Sequence, residues 1–311
     1  MTAPVVAITG ANGFIGKALC GRAVERGRML RRFVHTADPV ANAIALDLTS
    51  AGTDELMRAL TGVSTLVHLA GRAHVMDDRG PHAEASYRDA NERVTQQLAR
   101  AAVAAGVRRF IFASTVKVNG EVSPRGRPLH PDDAPAPADA YARSKLAAER
   151  ALEDAAHGSS MSVVVLRLPL VYGPRARGNF RRLVDAVRAG RALPFGAIAN
   201  RRSVIGIANL LDALDAAIDA PASVGGTHFV ADADSVSTPG LVRAIARALT
   251  LEPRLVAVPV PLLRIAGALT GRSDVVARVT GSLEVDPSSF AMATGWRPRR
   301  FAIDASMVSD V

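Results

Sequence analysis

Six short apolar runs punctuate the first half of the chain, at residues 4–9 (PVVAIT), 30–35, 43–48, 65–70, 109–114 and 162–168. Each is rich enough in aliphatic and aromatic residues to be a strand covered on both faces. Stretches with helical spacing lie between them: 14–26, stopped by Gly27, then 53–60, a long one over 83–105, and 141–156. Strands alternating with helices predict an α/β fold, a doubly wound parallel sheet with helices on both faces. The proline-rich stretch 124–137 reads as a loop between a strand and a helix. Beyond Leu168 the segments shorten and proline becomes more frequent. Residues 209–220 and 237–249 still read as helices, the second with Ser237 or Thr238 as N-cap and Pro239 in its first turn. The expected organisation is a sheet-bearing part, 1–168, and a smaller, less regular part, 169–311, with a soft boundary across which segments interleave.

Composition narrows the class. The chain has 311 residues, 49% hydrophobic and 22% charged, which suits a globular core and excludes whole-chain disorder. Its one cysteine, Cys20, excludes an internal disulfide and a cysteine-only zinc site, and no metal site is expected. No basic segment followed by a long apolar run opens the sequence, so no secretory signal is expected. The apolar stretch 255–271 carries Pro259, Pro261 and Arg264, which argues against membrane insertion. A reducing, cytoplasmic location is expected.

The net charge is +9, from 35 arginines and only three lysines against 29 acids. The arginine doublets are dispersed, at 31–32, 108–109, 181–182, 201–202 and 299–300, whereas a nucleic-acid binder concentrates its charge. No nucleic-acid partner is expected. A basic balance suits a small anionic substrate such as a diphosphate.

The first strand runs into Gly10-Ala-Asn12-Gly13-Phe14-Ile15-Gly16 and then the first helix. Glycines at this spacing permit a tight turn, close approach to a diphosphate and tight helix–strand packing, and the helix start offers free N–H groups. Dinucleotide binding is therefore expected. An NAD site usually has an acid at the end of the second strand. Here that place holds His35 and Thr36, with Asp38 beyond, and Arg31, Arg32 or His35 could accept a 2′-phosphate. NADP is favoured slightly over NAD. Asp47 and Leu48 close the third strand where adenine would lie; Asp47 suits either the adenine amine or a turn cap.

Tyr141 and Lys145 stand four residues apart and share one helix face. With three tyrosines and three lysines in the chain, chance yields about 0.03 such pairs. A nearby cation and a positive nicotinamide ring favour the phenolate, which makes the phenol a usable proton carrier near neutrality. Lysine in so arginine-rich a chain points to a requirement for a compact ammonium. Ser114 and Thr115 end a strand, where open α/β sheets face their ligand crevice, so their hydroxyls can bond a reacting oxygen.

Together TGANGFIG at 9–16, HLAG at 68–71, FASTVKVNG at 112–120, YARSK at 141–145, RLPLVYGP at 167–174 and NRRSVIGIANL at 200–210 resemble one family over nearly the whole length. It is the extended short-chain dehydrogenase/reductase family, in its nucleotide-sugar branch near the UDP-hexose 4-epimerases. The resemblance implies a Rossmann-type domain and a smaller C-terminal substrate-binding region. It implies that Thr115, beside Ser114, is the catalytic hydroxyl, Tyr141 the acid/base and Lys145 its partner. Leu69, Ala70 and Gly71 would run along the cofactor, Asn91 behind the catalytic strands, and Pro169 and Val171 over the nicotinamide. Asn179 and Arg202 would hold the substrate diphosphate, Phe195 the base, and Arg272, with Asp274 nearby, the ribose and phosphates. A homodimer through the helices at 83–105 and 141–156 is also implied, and a UDP-linked substrate is favoured over a dTDP-linked one.

Sugar dehydratases of the family carry Asp-Glu after the catalytic Thr; Val116 and Lys117 stand there, which disfavours that chemistry. Lys117 suits either a sugar contact or an ordinary loop cation. Asn119 replaces a tyrosine common in the epimerases, and KVNGE is similar to a subgroup linked to C4-keto reduction of UDP-6-deoxy-hexosamines in surface-polysaccharide synthesis. The leading expectation is that reduction, and the alternative is NAD-dependent 4-epimerisation of a UDP-hexose. A non-catalytic dinucleotide sensor is disfavoured by the presence of Tyr141 and Lys145.

Overall fold

In the computed structural model, which describes residues 4–35, 43–73 and 81–309, the apolar runs assemble as parallel strands. The elements of the first part are β1 (Val5–Thr9), α1 (Phe14–Glu25), β2 (Met29–Val34), β3 (Ala43–Ala45), α2 (Thr53–Leu60), β4 (Val63–His68), α3 (Pro81–Tyr87), a π-helical turn (Arg88–Arg93), α4 (Val94–Ala104), β5 (Arg109–Thr115), a 3₁₀ turn (Val116–Val118), α5 (Ala140–Ala156) and β6 (Ser162–Leu168). Then follow β7 (Leu170–Tyr172), α6 (Asn179–Arg188), β8 (Val204–Gly206), α7 (Ile207–Asp219), β9 (Gly226–Phe229), α8 (Thr238–Ala248), α9 (Val260–Leu269), α10 (Ser273–Thr280), α11 (Ser288–Thr294) and α12 (Ser306–Ser309). The described residues form a seven-stranded sheet in the order β3-β2-β1-β4-β5-β6-β9, parallel throughout. Strand order reverses between β1 and β4, and a crevice opens beyond their carboxyl ends.

Alternate residues of each strand feed opposite layers of core. Val6, Ile8, Ile111, Val164 and Leu166 pack against α1 and α7. Ala7, Phe110, Phe112 and Val165 pack against α2, α4 and α5. Such two-sided burial is why these strands read as continuous apolar runs. A smaller core around Tyr172, Phe180, Val184 and Ile245 joins the β7–β8 pair to α6 and α8. The segment after Leu168 serves both parts: β9 extends the large sheet beside β6, and α7 packs on α1. Ser237 is the N-cap of α8, accepting from Gly240 N at 3.0 Å. Trp296 is buried against Phe290.

Two expected elements differ for local reasons. The helix expected over 83–105 is interrupted by the π-helical turn at Arg88–Arg93. Its wider backbone accommodates Asn91, whose side chain is buried in bonds to other segments. The strand expected over 43–48 stops at Ala45, because Asp47 folds the chain into a turn by accepting from Thr49 N, Thr49 Oγ1 and Ser50 Oγ at 3.0, 2.7 and 3.0 Å. Among the described residues no helix is long and apolar enough to cross a membrane; the stretch 255–271 contains the ten-residue α9.

Candidate active site

The glycine turn is shaped by close backbone approach. Gly10 has φ +66°, and a Cβ there would lie 2.8 Å from Ala70 N. A Cβ on Gly16 would collide with the Gly10 carbonyl, so α1 can sit this close to β1 only without one. Gly13 N donates to Gly10 O at 2.9 Å and closes the turn. Gly13 is also the N-cap of α1, with no side chain capping the helix and no acid in its first turn. The first N–H groups of α1 are thus left for an anion.

In front of this turn lies a cleft of about 320 Å³. It brings together Gly10, Asn12, Gly13, His35, Asp47, Leu48, Leu69, Ala70 and Gly71. It adds residues that sequence reasoning missed: Phe33, Val34, Leu46, Thr49, Ala90 and Val94. Apolar walls, an anion-ready helix start and a carboxylate at one end fit the adenosine diphosphate half of a dinucleotide. The side chains of Phe14 and Ile15 turn into the core beside α7, while their backbone N–H groups are the first of α1. Pro169 is buried, and Val171 lies in β7, paired with Ile205.

At the adenosine end, Asp47 lies 3.3 Å from His35 Nδ1. Its bonds to Thr49 hold its carboxyl at about 2. Asp47 therefore caps a turn and lines the cleft at once. Arg31 is not aimed at this end: its Nη1 donates to Ala59 O and Thr61 O at 2.6 and 2.9 Å. Thr36 and Asp38 lie outside the described residues.

The residues expected to transfer the proton sit at the start of α5. Asp139 caps the helix, accepting from Ala142 N at 2.7 Å, and Tyr141 and Lys145 follow on one face. Thr115, at the end of β5, stands close enough to Tyr141 for its hydroxyl to favour the ionised phenol. The Tyr141 ring lies 6.0 Å from that of Tyr87 on α3. Lys145 is buried, with Nζ 4.0 Å from the Phe112 ring centroid. A Cβ on Gly71 would lie 3.9 Å from Nζ, which places the ammonium beside the cofactor cleft.

Burial pushes the Tyr141 phenol well above its ordinary range; Asp139 adds to this, the Thr115 hydroxyl opposes it and Tyr87 adds again. The expected lowering of the phenol draws on a positive nicotinamide ring beside the Lys145 ammonium. Among the protein's own groups, burial also drives Lys145 down to about 7, against the pull of Glu149, so near neutrality it is only partly charged. A lysine depressed from 10.5 to about 7 makes the unfolded chain the better proton binder between those values, so stability rises with pH across that window. Lys145→Met should therefore raise the Tm of the ligand-free protein at pH 6 by several degrees, and the gain should shrink by pH 9; thermal melts at the two pH values check this.

Behind this pair the side chains are tightly engaged. Asn91 Oδ1 accepts from Arg72 N at 2.8 Å, and its Nδ2 donates to Arg72 O and Ser144 Oγ at 3.1 and 2.9 Å. It ties the segment after β4 to the catalytic helix. Ser114 faces away from Thr115, and its hydroxyl donates to Glu149. Glu149 also holds Arg167, Nη2 to Oε2 at 2.6 Å, and both are almost wholly buried. Losing one partner of such a pair costs about 3–5 kcal/mol. Glu149, one turn beyond Lys145 on the same face, could have been found from that spacing. His68, stacked on Phe112 and placed between Thr9 and Thr95, is held near 3 by burial and then by Lys145, so it is neutral.

The expected substrate residues are spread along the second part. Asn179 is exposed at the first position of α6. Phe195 is partly buried against the smaller core. Arg202 Nη1 donates to Arg278 O and Gly281 O at 2.7 and 3.0 Å, at the end of α10. Arg272 begins α10 and is exposed. Eight residues of helix, about 12 Å, separate the two positions. Lys117 is held by two carboxylates, Asp139 Oδ2 at 2.6 Å and Glu121 Oε1 at 3.1 Å. Asn119 is buried, with Nδ2 donating to Asp133 O and Oδ1 accepting from Arg167.

A glycine-cradled cleft, with the Lys145 ammonium beside its Gly71, has the shape expected of a dinucleotide-binding site. The pattern of the NAD dependent epimerase/dehydratase family matches residues 6–231, and the chain belongs to that family. It is 38% identical over 299 residues to a UDP-glucose 4-epimerase of Vibrio cholerae, covering 94% of this chain and 90% of the relative. It is 28% identical to a dTDP-6-deoxy-L-talose 4-dehydrogenase (NAD(P)(+)) of Kitasatospora kifunensis, covering 96% and 92%. Among solved structures, MoeE5 in complex with UDP-glucose and NAD is similar with a TM-score of 0.78 and 26% identity, covering 98% of this chain and 97% of the other.

Proposed function

We propose that the chain is an NAD-dependent 4-epimerase of a UDP-linked hexose. The observation that carries this reading is the Thr115–Tyr141–Lys145 group, whose lysine ammonium lies beside Gly71 in the wall of the glycine-cradled cleft. The Vibrio relative, at 38% identity over nearly the full length, supports the epimerase over the C4-keto reductase. Asn119 lends little support to a reductase, because its side chain is occupied by Arg167 and the Asp133 carbonyl. The Kitasatospora 4-dehydrogenase keeps reduction as the second reading.

When bound, NAD supplies reversible hydride acceptance at C4. Gly10, Gly13 and the start of α1 would hold its diphosphate; Asp47, Leu48 and His35 would surround the adenosine, and Lys145, beside Gly71, would face the nicotinamide ribose. Tyr141 takes the proton of the sugar 4-hydroxyl and returns it after the ring has turned over. Thr115, at the end of β5 beside Tyr141, would hold that oxygen with its hydroxyl. The Asn91 clamp fixes α5 against the cleft, so the phenol is positioned before substrate arrives.

Purified enzyme should convert UDP-glucose or UDP-N-acetylglucosamine to its C4 epimer with no added reductant, seen as a new anomeric proton signal. Absence of epimer from either sugar, with stoichiometric consumption of NADPH or NADH on a UDP-4-keto-6-deoxy-hexosamine, would replace this reading with the reductase.

A further inference from the structure

The end of β5 and the start of α5 are joined through a short relay. Thr115, whose hydroxyl acts on the Tyr141 phenol, accepts at Oγ1 from Lys117 N at 3.4 Å, which caps the 3₁₀ turn. That turn delivers the Lys117 ammonium to Asp139, the N-cap of the catalytic helix, two residues before Tyr141. We propose that Lys117 is a positioning residue: by neutralising Asp139, it sets how readily the Tyr141 hydroxyl gives up its proton. The proposal rests on the reading of Tyr141 as the proton carrier.

Lys117 was suited by sequence to a sugar contact or to a loop cation; its two carboxylate partners point to this third role. The charges around Tyr141 are few. Asp139 and Lys145 face it from α5, Tyr87 from α3, and the Thr115 hydroxyl from β5. Asp139 is the carboxylate that acts on the phenol, and it disfavours the phenolate. Facing Asp139 are Lys117 and, farther off, Arg278, and both hold its carboxyl below the usual range against the effect of burial. Glu121 shares Lys117 at 3.1 Å and Arg278 at 3.4 Å, and it also acts on Arg202. Arg143, next to Tyr141, is engaged outward with Glu84 and the Ala138 carbonyl. An unscreened Asp139 would sit on the phenol with little to offset it, since Lys145 is only partly charged at neutrality. A lysine suits this place because its ammonium is a compact point charge, able to meet two carboxylates at once.

The test is the ionisation of Tyr141 in the NAD-loaded protein. The chain has three tyrosines, so ¹³Cζ-labelled tyrosine and a Tyr141→Phe reference assign the resonance. Lys117→Met should raise the Tyr141 pKa by about 0.5 to 1 pH unit, a three- to tenfold fall in phenolate at a given pH. Asp139→Asn, which retains a side-chain oxygen for the cap, should move it down by a similar amount. The double variant should return close to wild type, and Lys117→Arg should keep the charge and restore most of the shift. The acidic limb of kcat/KM should follow the same order. Shifts of the same sign in the two single variants, or none in either with both folded, would overturn the proposal. Near-normal turnover by Tyr141→Phe would instead overturn the epimerase assignment of Tyr141, while the resonance would still report on Lys117.

Discussion

Tyr141→Phe is expected to lower turnover of the UDP-hexose by about 10²–10⁴-fold while leaving bound NAD within about twofold of wild type. The ring remains beside Tyr87, 6.0 Å between centroids, and α5 retains its Asp139 cap and its Asn91 clamp through Ser144. What is lost is the hydroxyl proposed to carry the substrate proton. Steady-state kinetics and the NAD released on denaturation separate the two effects. Loss of NAD together with activity would make the residue structural rather than catalytic.

Gly10→Ala should have the second large effect, on cofactor rather than chemistry. Its φ of +66° suits glycine, and the added Cβ would stand 2.8 Å from Ala70 N, in the segment that forms the far wall of the cleft. Backbone strain of this kind costs about 1–3 kcal/mol, and relieving it must move either the glycine turn or Ala70. Bound NAD should fall at least about tenfold, with a lower Tm in both loaded and ligand-free protein. Gly27→Ala is the control: it too has positive φ, yet its Cβ would meet nothing within 4 Å and it is remote from the cleft. It should lose some stability and keep its NAD. Equal NAD content in the two variants would contradict the role given to the turn.

The parts of the site readable from sequence are those whose residue type answers a local demand. The glycines at 10, 13 and 16 answer a steric one, and the Tyr141–Lys145 spacing follows directly from the helix repeat. The two-sided strands announced themselves by apolar runs, because a parallel sheet is buried on both faces. What was not readable depends on partners far apart in the chain. Ser114 and Thr115 are equivalent as strand-end hydroxyls; only the pleat, and the buried Glu149–Arg167 pair across from it, turn Ser114 away from Tyr141. Arg31 looked available for a phosphate, but the end of α2 supplies two carbonyls that take its guanidinium. The π-helical turn has no signal in apolar periodicity, since it arises from the bonds of Asn91 to Arg72 and Ser144. The burial that pushes the Tyr141 phenol up and the Lys145 ammonium down is likewise set by distant segments and has no signature in their four-residue spacing.

The account's most direct test is the fate of the C4 hydrogen. Epimerisation of the UDP-hexose is run to equilibrium in D₂O with NAD-loaded enzyme, and both epimers are examined by NMR and mass spectrometry. If C4 exchanges only a hydride inside the site while Tyr141 handles the hydroxyl proton, C4 will carry no solvent deuterium in either epimer. Deuterium at C4, or no interconversion at all, would contradict it.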